Sequence, residues 1–164
     1  MTIVAGDIGW AHTNGLMGRL IRVGEAVRGK KGSEWNHQFI VDSPVPAEDD
    51  WFVVQATLQG VTNTGRLSEF PKYHVEHPPI GVDPERVLLF ARAQVGVEYS
   101  LMTILTIALD IVTWDWFPSF RGSRLQSWIC SAVVNESLRF AGWLHDFVNI
   151  YTVTPQDGWD ALHQ

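Results

Sequence analysis

Residues 36–41 and 51–58 are short runs rich in β-branched and aromatic side chains, which predicts two strands with every second residue on the same face. In the first, His37, Phe39 and Val41 share a face; in the second, Trp51, Val53, Gln55 and Thr57 do. The Pro-rich and acidic residues 43–50 between them suit a hairpin loop. With the turn centred near Pro46, Val41 pairs with Trp51, Phe39 with Val53, and His37 with Gln55. Residues 3–8 read as a short strand and 61–64 as another, and 67–73 turn away from it. Pro78-Pro79 is a break. Residues 87–91 form either a strand or the start of a helix running to 95, and 148–153 a late strand before a polar tail.

Helical spacing appears three times. Leu16, Leu20, Val23 and Val27 fit a helix over 15–27; Leu101, Ile104, Leu105, Ala108, Ile111 and Val112 share one face of 101–112; Cys130, Val133, Val134, Ser137, Leu138 and Ala141 share one face of 128–141. Residues 28–33 read as a solvated connection and 118–126 as a loop. The class is α+β. Neither a repeat nor a boundary divides the chain, so residues 1–164 read as a single domain.

Composition narrows the functions. A net charge of -6 leaves no cationic excess to neutralise phosphates, so no nucleic-acid partner is expected. Eight Trp are mostly core, although some could line a substrate groove. One cysteine excludes an internal disulfide and a Cys-rich zinc site, and no cofactor is implied. The N-terminus lacks a basic segment followed by an apolar one, so no signal peptide is seen and a cytoplasmic protein, or one released on lysis, is expected. Residues 101–112 are too short to span a bilayer and are broken by Asp110, so no transmembrane segment is expected.

The single Cys130 falls in the first turn of its helix, with Ser127 placed to cap it. A helix N-terminus favours thiolate and offers N–H groups to an oxyanion, and a reactive thiol there would be partly open to solvent. The same spacing also suits a plain core cysteine. The hairpin adds what a nucleophile needs: His37 as base, with Gln55 beside it to hold the ring tautomer. Without the cysteine, such a pair is simply a buried imidazole satisfied by a buried amide.

Six short segments, taken in order, resemble the permuted papain-like amidases, the YiiX-like branch of the NlpC-type cysteine hydrolases. They are Gly6-Asp7-Ile8; Gly18-Arg-Leu-Ile21 with Trp35-Asn-His-Gln-Phe-Ile-Val41; Phe52-Val-Val-Gln-Ala-Thr57 with Gly60-Val61; Gly96-Val-Glu-Tyr99; Ser127-Trp-Ile-Cys-Ser131; and Tyr151-Thr-Val-Thr-Pro155. The resemblance implies a circularly permuted papain-like fold, an antiparallel sheet or half-barrel packed against the cysteine-bearing helix. It also implies Cys130 as nucleophile, His37 as base and Gln55 in the third polar position. The expected activity is a bacterial or phage cysteine peptidase or amidase that cuts cell-wall (peptidoglycan) peptide bonds through an acyl-enzyme. The alternatives are a lipid acyl hydrolase or transferase of the same fold, encouraged by 101–112 with Trp114 and Trp116, or a non-catalytic binding module. The sequence departs from the family pattern at four positions. Asn36 replaces a Ser, Gln55 a Glu, Ala132 a Glu and Ser100 an Asp.

Other signals are set aside. Gly24 to Lys30 has phosphate-loop spacing, but Lys31 stands at the Ser/Thr position and a helix-like segment precedes it. His74-Val-Glu-His77 offers ligands, but the prolines beside it imply an extended loop, so no metal is expected. Asn135-Glu-Ser137 is a glycosylation sequon inside a helix. His12, His145 and His163 have no nameable partners.

Overall fold

Strands β1 (Ile8–His12), β2 (His37–Pro44), β3 (Trp51–Thr57), β4 (Gly60–Arg66) and β5 (Lys72–Glu76) form one antiparallel sheet in the order β4-β3-β2-β1-β5. These come from a computed structural model that describes residues 2–15, 18, 19, 22, 23, 26, 34–57, 59–97, 130–143 and 153–163. Helices α1 (Pro84–Ala93), α2 (Cys130–Phe140) and α3 (Pro155–Leu162) complete an α+β arrangement. Gly18, Arg19, Arg22, Val23 and Ala26 are helical, within the expected helix at 15–27. The segments 28–33, 101–112 and 118–126, the residues Trp114 and Trp116, and all but Val153 of 148–153 lie outside the described residues.

The alternation in the strands sorts side chains onto two faces. On the helix side, Ile8, Trp10, Ile40, Val54, Ala56 and Val61 pack with Val87, Leu88 and Ala91 of α1 and with Cys130, Val133, Val134 and Leu138 of α2. On the other side, Ala11, Phe39, Val41, Val53 and Leu67 form a second cluster with Phe70 against it. Burying a side chain such as Leu138 fully is worth roughly 1.5–3 kcal/mol, so these faces hold α2 in place.

Several expectations need correction. Residues 3–7 are not strand: Gly6 turns the chain with φ 90°, and a Cβ there would come 2.3 Å from the Pro84 carbonyl oxygen. Asp7 closes that turn by accepting from the Val4 N–H at 2.9 Å, and the strand begins only at Ile8. Of the two readings of 87–91 the helix is the one found, and it begins earlier than expected: α1 has Pro84 in its first turn and Asp83 capping the Glu85 N–H. The segment at His74 is not a loop. It is edge strand β5, paired to β1 through Trp10↔His74, and the prolines that follow end it. The polar tail is helix α3, started by a capping box in which Thr154 and Asp157 satisfy each other's backbone N–H groups. Gln156 of α3 reaches back to the start of β2, where its Oε1 accepts from the Glu34 and Trp35 N–H groups at 3.1 and 3.4 Å.

The hairpin register also differs. The pairs are Ile40↔Val54 and Val41↔Val53, with a slip before Pro44↔Trp51. The turn is therefore centred later than Pro46, and it includes Ala47 in the left-handed region at φ 64°.

Candidate active site

Two strands and the described beginning of α2 meet at one point. His37 is the first residue of β2 and Gln55 lies in β3, both half-buried on the sheet face that carries Phe39 and Val53. Cys130 begins the described part of α2 and belongs to the core on the other face. They meet beyond the last β2–β3 pair, Ile40↔Val54, where the strands are no longer joined. The Gln38 N–H, without a ladder partner on β3, donates to the Cys130 sulfur, as does the Ser131 N–H of the helix. Ser127, expected to cap this helix, lies outside the described residues.

His37 Nε2 lies 2.7 Å from Gln55 Oε1. An amide oxygen only accepts, so Nε2 carries the proton and donates, and Nδ1 is left for the sulfur. His37 and Cys130 are joined by a side-chain hydrogen bond. The expected direct cross-strand pairing of His37 with Gln55 is not what joins them. The observed register, continued past Ile40↔Val54, sets Gln55 opposite Phe39, so the bond to His37 is diagonal.

The electrostatics are those of a coupled acid and base. Burial alone pushes the Cys130 thiol up, but the hydrogen bond and charge of His37, with the Gln38 and Ser131 N–H groups, outweigh it and hold the thiol below its ordinary value. Burial likewise works against the imidazolium, yet the bond to Cys130, the thiolate charge and the Gln55 oxygen leave His37 raised. Both directions favour a thiolate–imidazolium pair. The thiol is more enclosed than the sequence led us to expect, with Cys130 only 6% exposed.

Residues that sequence patterning missed complete the setting. Phe70, just after the 3-10 turn Leu67–Glu69, lies against the His37 ring (centroids 5.6 Å apart) and stacks on Phe39 at 4.8 Å. Gly9, opposite Phe39, leaves room for that ring; a Cβ there would come 2.0 Å from Phe39 carbons. Ser131 Oγ donates to the Val153 carbonyl at 2.5 Å, tying the first turn of α2 to the segment before α3. Aromatic residues downstream of a strand, and a hydroxyl after the cysteine, are the signals that could have pointed to them.

Asn135 is buried, and its Nδ2 donates to the Ser131 carbonyl, so the sequon is closed to modification in the folded chain. Asn36 is buried and serves the backbone and side chain of Thr13. His12 does have partners, the Glu34 carbonyl at 3.0 Å and the Arg22 guanidinium. His163 meets Glu76 at 3.2 Å, and Glu76 also meets His74 at 3.4 Å. Among the described residues, no cluster of three or more His, Cys, Asp or Glu side chains could hold a metal, and no helix is long and apolar enough to cross a membrane. Compared with family models and with curated proteins, the sequence matches none.

Proposed function

We propose that this protein is a cysteine-dependent amide hydrolase, with Cys130 as nucleophile, His37 as base and Gln55 as the residue that orients the ring. The observation that carries the reading is the continuous hydrogen-bonded chain from Cys130 through His37 to Gln55. In the reaction, His37 Nδ1 holds the thiol proton while sulfur attacks the amide carbonyl and forms a C–S bond. The carbonyl electrons move onto oxygen, and the backbone N–H groups that faced sulfur are free to stabilise it as the sulfur loses its charge. Collapse breaks the C–N bond, and His37 returns the proton to the leaving amine. Water, deprotonated by His37, then attacks the thioester and releases a carboxylic acid and the thiolate. Gln55 accepts from Nε2–H throughout. Being neutral, it orients the imidazolium without stabilising it by charge.

The sheet-and-helix arrangement is compatible with a circularly permuted papain-like fold of the YiiX-like amidases, and cell-wall peptide is the substrate class that this resemblance favours. Incubating the protein with peptidoglycan stem peptides should release new amino termini, and Cys130→Ala should abolish the release. No release from any such peptide, with Cys130 alkylated only after unfolding, would discard the reading. One observation favours a second reading, a non-catalytic module on the same fold: the thiol's low exposure. Under it, ligand binding would survive Cys130→Ala unchanged.

A further inference from the structure

β4 carries one more residue than β3 needs. Thr57↔Gly60, Ala56↔Val61 and Gln55↔Thr62 are in register, but the next pair is Val53↔Gly65. Asn63 and Thr64 therefore stand opposite Val54 alone, the arrangement of a β-bulge. Without the slip, Thr64 would lie opposite Val53, and Gly65 would turn to the other face of the sheet. The bulge thus brings a residue with no side chain onto the face that carries Gln55 and His37.

That position is buried, and the Gln55 amide lies across it. A Cβ on Gly65 would come 2.1 Å from Gln55 Nε2, 3.2 Å from Cδ and 3.4 Å from a Val53 methyl. Contact at 2.1 Å is not tolerated, whereas 3.4 Å is ordinary packing, so the amide alone would have to leave. Gln55 Nε2 is the end of a side chain with free torsions, and it would move more cheaply than the strand. The opposite end of the same amide is Oε1, which accepts from His37 Nε2 at 2.7 Å.

We infer that Gly65, delivered by the Asn63–Thr64 bulge, is a positioning residue for the catalytic base: its missing side chain is the seat that holds the Gln55 amide with its oxygen toward His37. The inference rests on the reading of Cys130 and His37 as nucleophile and base. It assigns Gly65 a role through Gln55 and none through the backbone, since Gly65 has no left-handed φ to protect.

Gly65→Ala should leave the sheet folded and displace Gln55. His37 then loses an acceptor that favours its cation, and the thiolate loses part of its partner. The pH at which iodoacetamide begins to alkylate Cys130 quickly should rise by about one unit, near tenfold in rate on the acid side. The His37 ring nitrogen shifts should move away from the Nε2–H tautomer. The double variant Gln55→Ala/Gly65→Ala should behave like Gln55→Ala alone, because there is no longer an amide to displace. If Gly65→Ala unfolds while the double variant folds, the clash with Gln55 is the cause and the inference stands. A Gly65→Ala protein with unchanged pH profile and ring shifts would overturn it, as would a double variant worse than Gln55→Ala. Should wild-type Cys130 alkylate like an ordinary thiol, the hydrolase reading falls separately. The ring shifts would then decide the Gly65 role by themselves.

Discussion

His37 donates from Nε2 to Gln55 Oε1 at 2.7 Å although the two residues are not directly opposite in the ladder. The bond fixes which imidazole nitrogen is left for Cys130, and it makes the ring's protonation state depend on a neutral acceptor.

The first prediction concerns pH. Cys130 is held low and His37 high, so the thiolate–imidazolium pair spans the interval between the lowered thiol value and the raised imidazole value. Alkylation of native Cys130 should rise as pH passes the lowered thiol value, below the ~8.5 of a free thiol, and then plateau. His37→Ala removes the cation and should push the rise upward by about one unit or more. Rate profiles of the two proteins check this. A wild-type rise at the free-thiol position would contradict it.

Gln55 offers a test of charge. Gln55→Glu places a carboxylate on His37 Nε2, which should raise the imidazole further and widen the interval in which the pair is ionised. Gln55→Ala should lower hydrolysis by about tenfold, the loss of one charge-assisted hydrogen bond of ~1.5–3 kcal/mol being an upper bound. Titrating the His37 ring by NMR in the three proteins should give the order Glu above Gln above Ala.

Gln38 is predicted to carry a stability cost. Its side chain is fully buried beneath Gly158, and among the described residues neither amide atom has a hydrogen-bond partner. An unpaired buried amide costs about 1–3 kcal/mol, so Gln38→Met should be neutral or raise Tm. The N–H that donates to Cys130 is backbone and is kept. A large fall in Tm would mean that the amide is paired in solution.

The capping box of α3 should matter to the site as well as to the helix. Thr154→Ala removes the acceptor for the Asp157 N–H and should cost about 1 kcal/mol. Hydrogen exchange should then increase at the Glu34 and Trp35 amides, which Gln156 holds from α3. Loss of protection confined to α3 would show that the two elements are not coupled.

The sequence pattern placed His37 and Gln55 on one face correctly while misplacing their register. A strand repeats its faces every two residues, and the observed pairing is displaced from the expected one by an even step, so face membership survived. The loop geometry was not legible, because Ala47 adopts a left-handed conformation that nothing in its identity announces. Strand β5 was hidden because it is an edge: Lys72, Tyr73 and His74 are exposed, and the apolar alternation is correspondingly faint. Helix α3 was hidden because Pro155 and Gly158 read as turn residues. One is a first-turn proline, and the other makes room for Gln38, where a Cβ would come 2.6 Å from its amide nitrogen. The Thr154-Pro-Gln-Asp157 spacing of a capping box was the visible signal. Gly65 could not have been found without the bulge, which is a property of pairing between strands and not of either strand.

The bond from Gln156 to the residues just before His37 has a consequence for how the protein comes into being. The groups that meet at the sulfur of Cys130 come from positions 37, 38 and 131, Gln55 holds the far nitrogen of His37, and the strand that supplies His37 is fastened from position 156. Contacts over such separations form late, because the loops they close carry the largest entropy cost. While the chain is being synthesised, the hairpin bearing His37 and Gln55 can pair early, yet it holds no sulfur until α2 has been made and docked. Under the hydrolase reading, a nascent chain is thus an imidazole without a nucleophile, and thiol reactivity would arise only as one of the last events of folding.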